Sequence, residues 1–146
     1  MVVIFNFSHM PSDESDEKSK GLINEAIEII VKATNEELSE DEIKVVVDRL
    51  NYPVRKVAHA SVYFVLALFI LNVIFDVKSP KTWKIYAITI LICFLYAITD
   101  EYHQTFIAGR TGKFTDVLID TLGASIACTL VILFSRRKEK NKVKTS

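Results

Sequence analysis

Nine side chains that can bind polar groups or transfer protons occur between residues 59 and 120 of this 146-residue chain. They are His59, Tyr63, Asp100, Glu101, His103, Gln104, Arg110, Asp116 and Asp120. Carboxylates and imidazoles act as general acids and bases, and an arginine suits a phosphate or carboxylate group. His59 and Tyr63 are four residues apart, as are Asp116 and Asp120, so each pair shares one face of a helix. The pattern predicts that these residues form one polar site.

Three interpretations of this site are open from the sequence. It binds a polar head group or peptide; it catalyses a hydrolase or transferase reaction on a lipid-linked substrate; or it is a polar network that only fixes the register of the helices. Single residues also have ordinary interpretations, since Asp116 could cap a helix and Asp100 could lie in water at a helix end. The spacing matches no standard metal signature, so neither a metal nor another cofactor is predicted. No nucleic-acid partner is expected.

Three long apolar segments must position these residues, because half of the chain is hydrophobic. The segments are residues 57–75, residues 85–99 with an extension to 83 and 100, and residues 114–134. A helix of about 20 residues crosses a hydrocarbon core of roughly 30 Å. None of the three shows the polar stripe that a soluble amphipathic helix carries. The predicted fold is therefore an all-α integral membrane bundle, with membrane lipids as its surroundings.

The polar region before the first span is predicted to hold a loop and two short helices. Residues 1–7 are apolar but too short to span. They are interpreted as the remnant of a fourth transmembrane helix, and an interfacial anchor is the alternative. Residues 8–21 are rich in turn formers and predict a loop. Residues 22–33 place apolar side chains on one face of an amphipathic helix, which would lie on the membrane surface or cap the bundle.

A second short helix is predicted to begin at a capping box. Ser39 and Glu42 have the spacing in which each side chain accepts a hydrogen bond from the other residue's backbone amide. Asn51, Tyr52 and Pro53 are predicted to end this helix. Pro80, after Ser79, is predicted to open the middle span.

The distribution of basic residues predicts the orientation of a single membrane domain covering residues 1–146. Its parts are the truncated span 1–7, an extracytoplasmic polar region 8–55, a three-helix core 56–134 and a basic tail 135–146. The connector at residues 76–84 holds three lysines, and the tail from residue 136 holds six basic residues in eleven. Short basic segments stay in the cytoplasm. The protein is therefore predicted to be a multi-pass cell-membrane protein with a cytoplasmic C-terminus, and the nine polar residues then lie on the outer side.

Four motifs combine these residues into a recognisable pattern. They are FS..P...S...S at residues 7–19, K..H...Y at 56–63, DE.HQ.F..GR at 100–110 and D...D..G at 116–123. Together they resemble the VanZ-like family of small bacterial membrane proteins. The chain departs from that family in lacking a complete first span, in having Asp120 where relatives often have Asn, and in having Val62 where relatives often have an acid.

The resemblance implies a role in the cell envelope. The family is named for a protein associated with resistance to the glycopeptide antibiotic teicoplanin in Gram-positive bacteria. The expected partner is a cell-wall precursor or another envelope component, bound at the extracytoplasmic polar site. Whether any reaction is catalysed stays open at this point.

Overall fold

The structure is a computed structural model that describes residues 12–34, 38–74, 83–107 and 109–144. In these ranges it contains four α-helices and no strand: α1 Ser12–Thr34, α2 Glu40–Ile74, α3 Trp83–Gln104 and α4 Phe114–Lys144. The all-α prediction is confirmed. The apolar residues 1–7 and the predicted cap at Ser79 and Pro80 lie outside the described residues.

Three of the four helices are long and apolar enough to cross a membrane. They are α2, α3 and the Phe114–Ser135 part of α4. Their most apolar stretches bury only 17%, 22% and 33% of their residues inside the protein. Because so much apolar surface faces outwards, lipid is the environment that suits these helices. The three predicted spans are confirmed as candidate membrane helices.

The predicted loop at residues 8–21 is wrong from Ser12 onwards, where α1 begins. Charged residues of this segment form ion pairs along α1, so they stabilise a helix there and do not indicate a turn. Lys18 Nζ lies 2.8 Å from Glu14, and Lys20 Nζ lies 3.3 Å from Asp16. Such pairs four residues apart stabilise a helix, and acids in the first turn suit the helix dipole.

The predicted end of the second helix at Asn51–Pro53 is also wrong, because α2 runs without interruption to Ile74. Proline lacks the amide hydrogen that would bond to the carbonyl of Arg49, so one backbone hydrogen bond is missing and the remainder of the helix continues. The predicted capping box is present. The Ser39 amide donates to Glu42 Oε2 at 2.9 Å, and the Glu42 amide donates to Ser39 Oγ at 3.4 Å.

The described chain divides into two compact units. The first contains the described residues up to Ala58 together with His103–Gly112, and the second contains His59–Tyr102 and the residues from Lys113 onwards. In the first unit α1 packs against the start of α2 through Ile23, Ile27 and Val47. Lys20 contacts Asp48, whereas the earlier Asp16 contacts the later Arg55, so the two helices run antiparallel.

The second unit is formed by the later part of α2 with α3 and α4. Its core consists of small and aromatic side chains: Tyr63, Ala67, Cys93, Ala97, Val117, Ala124 and Ala127. Small residues let helix backbones approach closely. At Gly123 of α4 an added Cβ would overlap the backbone carbonyl of Ala60 on α2. The backbones of α2 and α4 are therefore in close contact at this position.

Candidate functional site

Four of the nine predicted polar residues form a buried polar cluster in the second unit. Tyr63, Asp100, Glu101 and Asp120 expose 1%, 7%, 5% and 0% of their surfaces. The Tyr63 hydroxyl interacts electrostatically with all three carboxyl groups. Since the four side chains come from α2, α3 and α4, the cluster joins all three candidate spans.

The close contact between α2 and α4 explains how Tyr63 and Asp120 meet. Ala60 lies three residues before Tyr63, and Gly123 lies three residues after Asp120. Because Gly123 has no side chain, its backbone sits against the carbonyl of Ala60. Residues three apart on a helix share a face, so this contact directs Tyr63 and Asp120 towards the same interior space.

Tyr63 is the cluster residue whose polar group is least explained by the described contacts. Its hydroxyl is buried and has no hydrogen-bond partner among the described residues. Its ring lies 6.2 Å from that of Tyr96 on α3, tilted by 52°. A buried hydroxyl without a hydrogen bond costs about 1–3 kcal/mol. Packing therefore accounts for the ring of Tyr63 but not for its hydroxyl.

Glu101 has an identified structural contact. Its Oε2 accepts a hydrogen bond of 2.8 Å from the backbone amide of Lys113, immediately before α4 begins. Hydrogen bonds to a charged acceptor are stronger than neutral ones. Glu101 thus fixes the start of α4 relative to the end of α3. It also interacts electrostatically with Tyr63.

His59 and Asp116 belong to the same unit but are only half-buried. Asp116 lies in the first turn of α4, where its amide donates to the Lys113 carbonyl at 2.8 Å and its Oδ1 accepts a hydrogen bond of 3.3 Å from Thr115. A negative charge is stabilised at this end of a helix. The contacts of Asp116 are therefore consistent with its ordinary interpretation as part of a helix start.

His103, Gln104 and Arg110 belong to the first unit, where they build the turn after α3. The carbonyls of His103 and Gln104 accept hydrogen bonds from the amides of Phe106 and Ile107 at 3.1 and 3.0 Å. Gly109 then adopts a φ of 76°, a conformation that glycine reaches without steric cost. Turn geometry therefore explains the glycine of the GR motif.

Sequence reasoning missed a polar network between α1 and α2 in the first unit. Asn51 donates to Asp16 Oδ1 at 2.5 Å and accepts a hydrogen bond from the Ser19 hydroxyl, and Arg55 lies 3.3 Å from Asp16. Asn51 and Ser19 are both buried. Asn51 and Arg55 follow Val47 at intervals of four residues, so all three lie on one face of α2. This spacing is the sequence signal that could have predicted the network.

No group of three or more His, Cys, Asp or Glu residues is arranged to hold a metal ion within the described parts of the chain. The buried polar cluster offers the carboxylate oxygens of Asp100, Glu101 and Asp120 as hydrogen-bond acceptors, together with the phenolic hydroxyl of Tyr63. Its chemistry is therefore suited to groups that donate hydrogen bonds.

Comparison with known proteins places the chain in a family. The VanZ/LLP1 family profile matches residues 1–135. The chain belongs to the VanZ/LLP1 family. It is also 32% identical over 84 residues to the uncharacterized protein C11E3.10 of Schizosaccharomyces pombe. That alignment covers 57% of this chain and 49% of the yeast protein, so the chain spans about half of that relative's length. No solved structure matches.

Proposed function

We propose that this VanZ/LLP1 family protein acts in the cell envelope by binding a polar part of an envelope component at the buried polar cluster. The observation that carries the proposal is the buried Tyr63 hydroxyl, which interacts electrostatically with three buried carboxyl groups and has no hydrogen-bond partner among the described residues. Buried polar groups in a membrane protein are costly, and those that persist usually serve a function.

The composition of the cluster defines the ligand chemistry. Each carboxylate oxygen accepts more than one hydrogen bond, so Asp100, Glu101 and Asp120 retain accepting capacity beside their protein contacts. A phenol both donates and accepts. The ligand group that suits this arrangement is rich in donors, such as the hydroxyl and amide groups of a sugar–peptide envelope precursor.

Glycopeptide resistance is the physiological role we propose for this binding. A protein that occupies or alters surface cell-wall precursors reduces the access of teicoplanin to them. Expression of the chain in a teicoplanin-sensitive Gram-positive host is expected to raise the inhibitory concentration. An unchanged inhibitory concentration, with the protein present in the membrane, argues against the resistance role. Because the chain is also similar to a yeast protein, family membership alone does not imply that the ligand is a molecule found only in bacteria.

Tyr63→Phe separates a binding site from a structural network. The variant removes only a hydroxyl that has no hydrogen-bond partner among the described residues, so we expect the protein to unfold at the same or a higher temperature. The raised inhibitory concentration is expected to be lost. Tyr52→Phe makes the same chemical change at an exposed ring and is the matched control.

Direct binding gives a second measurement that does not depend on the antibiotic. We expect the lipid-linked peptidoglycan precursor to bind the wild-type protein in nanodiscs and to bind Tyr63→Phe and Asp100→Asn more weakly. If both variants stay folded and bind as the wild type does, the cluster is not the binding site. If Asp100→Asn unfolds while Tyr63→Phe binds normally, the cluster serves only to hold the helices.

A further inference from the structure

The buried charged residues in the described parts of the chain are all acidic. They are Asp100, Glu101 and Asp120, and all three belong to the buried polar cluster of the second unit. Every lysine, arginine and histidine whose side chain the structure describes is at least partly exposed. Electrostatic interactions are stronger inside a protein than in water, because the effective dielectric constant is lower. The ligand charge that suits this cluster is therefore positive.

The Tyr63 hydroxyl indicates a ligand in the same space, independently of these charges. The Tyr63 side chain comes from α2 and is only 1% exposed. Its hydroxyl interacts electrostatically with each of the three carboxyl groups and has no hydrogen-bond partner among the described residues. A buried hydroxyl is costly until another group completes its bonding. Because a phenol oxygen accepts hydrogen bonds, a ligand group that donates them removes this cost.

The arrangement of the carboxyl groups suits an ammonium group better than a metal ion. In the ranges that the structure describes, no three His, Cys, Asp or Glu side chains are placed to hold a metal. Calcium needs six or more oxygens converging on one point at about 2.3–2.6 Å. An ammonium group has three separate donors and bonds to carboxylate oxygens at about 2.7–2.9 Å. It can therefore join acceptors that come from different helices without meeting at one point.

The packing around the cluster favours a slim cation. Ala97 and Ala124 belong to the same closely packed core as Tyr63, and Gly123 brings the backbones of α2 and α4 into contact one turn from Asp120. A primary ammonium is compact, whereas a guanidinium is a wide planar fork. A quaternary ammonium has no N–H group, so it leaves the Tyr63 hydroxyl without a donor.

We propose that the buried polar cluster binds a primary ammonium group of its ligand. This inference rests on the proposed function, and it narrows the ligand from any group rich in donors to a positively charged one. The ammonium donates to the Tyr63 hydroxyl oxygen and to carboxylate oxygens of Asp100 and Asp120. Two envelope components carry this chemistry: a precursor peptide with a lysine side chain, and the headgroup of phosphatidylethanolamine.

Binding to the full-length protein in phosphatidylcholine nanodiscs tests this inference with two pairs of probes. The first pair is the lipid-linked peptidoglycan precursor with a lysine in its peptide, and the same precursor with the lysine amine acetylated. The second pair is short-chain phosphatidylethanolamine and its N-acetyl derivative. Acetylation removes the positive charge and leaves the remainder of each probe intact. We expect it to weaken the binding of at least one probe by about tenfold or more, because a charge-assisted hydrogen bond is lost. The pair that shows this preference identifies the source of the amine.

Asp120→Asn tests whether the amine is recognised at the cluster. The variant removes the charge of Asp120 and keeps its shape, so we expect the preference for the free amine to be largely lost. Asp41→Asn makes the same chemical change at an exposed position of α2, and it is expected to keep the wild-type preference. If Asp120→Asn does not fold, Tyr63→Phe removes an acceptor for the same ammonium and is expected to reduce the preference.

The outcomes separate this inference from the proposed function. If the wild-type protein binds the free and acetylated forms of the precursor equally and shows no preference for phosphatidylethanolamine, the amine inference is overturned and binding of the precursor stands. If neither form of the precursor binds but phosphatidylethanolamine does, the ammonium chemistry stands with lipid as its source. A preference that Asp120→Asn and Tyr63→Phe both leave unchanged places recognition outside the cluster and overturns the inference. Absence of binding by all four probes overturns both proposals.

Discussion

At the scale of single residues, Gly123 shows how strongly one missing side chain constrains the membrane core. Gly123→Ala would push a methyl group into the backbone carbonyl of Ala60. Overpacking of this kind costs about 1–3 kcal/mol. We expect a matching loss in the free energy of unfolding, measured by SDS titration in mixed micelles.

Gly21 is the matched control for that substitution. It lies in α1, and an added Cβ meets nothing within 4 Å. Alanine is favoured over glycine inside a helix by about 1 kcal/mol, so Gly21→Ala is expected to stabilise the protein or leave it unchanged. Equal stability of Gly123→Ala and wild type would show that α2 and α4 do not approach as closely as described.

Asp16 makes the hairpin of α1 and α2 sensitive to acid. The hydrogen bond from Asn51 lowers the pKa of Asp16, with smaller help from Lys20 and Arg55 against the effect of burial. Because the folded pKa lies below the unfolded value, this contribution to stability is present above about pH 4 and is lost as the pH falls through the folded pKa. The Asp16 side chain is 36% exposed, so solvent screening keeps the effect small.

Melting temperatures measured between neutral and acidic pH check this expectation. Asp16→Asn should flatten the acid part of the curve, because residue 16 then has no proton to gain. The neighbouring Glu17→Gln makes the same chemical change at an exposed position and should leave the acid part unchanged. Identical curves for wild type and Asp16→Asn would exclude Asp16 as the acid-sensitive group.

At the scale of elements, the start of α2 depends on its capping box. Ser39→Ala removes the hydroxyl that accepts a hydrogen bond from the Glu42 amide and donates one of 2.8 Å to Glu42 Oε2. Loss of such a cap costs about 0.5–2 kcal/mol. We expect faster hydrogen exchange of the first-turn amides in Ser39→Ala and near-normal exchange in Ser39→Thr, which keeps a hydroxyl. Similar exchange in Ser39→Ala and wild type would mean that the cap contributes nothing.

The polar residues of α4 are compatible with a membrane span because their hydroxyls bond within the helix. Thr121, Ser125 and Thr129 each donate to the carbonyl four residues earlier, at 2.7–2.8 Å. In lipid, a polar group that forms no hydrogen bond is costly. These three residues therefore need no partner from another helix.

At the scale of the whole molecule, the orientation in the membrane stays a prediction from charge. Phe114 and Arg137 lie at opposite ends of the span in α4, and both are exposed. The basic tail predicts that Arg137 is cytoplasmic and Phe114 is outside. In intact cells, a membrane-impermeant maleimide is expected to label Phe114→Cys but not Arg137→Cys. Labelling of Arg137→Cys alone would reverse the topology and place the polar residues on the inner side.

Features that depend only on neighbouring residues could be predicted from the sequence. A long apolar run specifies a membrane helix because backbone groups in lipid must bond within their own segment. Ser39 and Glu42 specify a helix start because their contacts span only three residues. The helical spacing of His59 with Tyr63, and of Asp116 with Asp120, likewise follows from local geometry alone.

Which of these residues come together depends on the packing of the helices and could not be predicted from local sequence. The sequence predicts that Asn51 helps to end a helix. In the structure Asn51 lies inside the continuous helix α2 and accepts a hydrogen bond from Ser19, 32 residues earlier in the chain. Tyr63 and Asp120 are neighbours because Gly123 lets two backbones touch. Local sequence sets the conformation of a segment, whereas the partner of a buried side chain depends on how distant segments pack together.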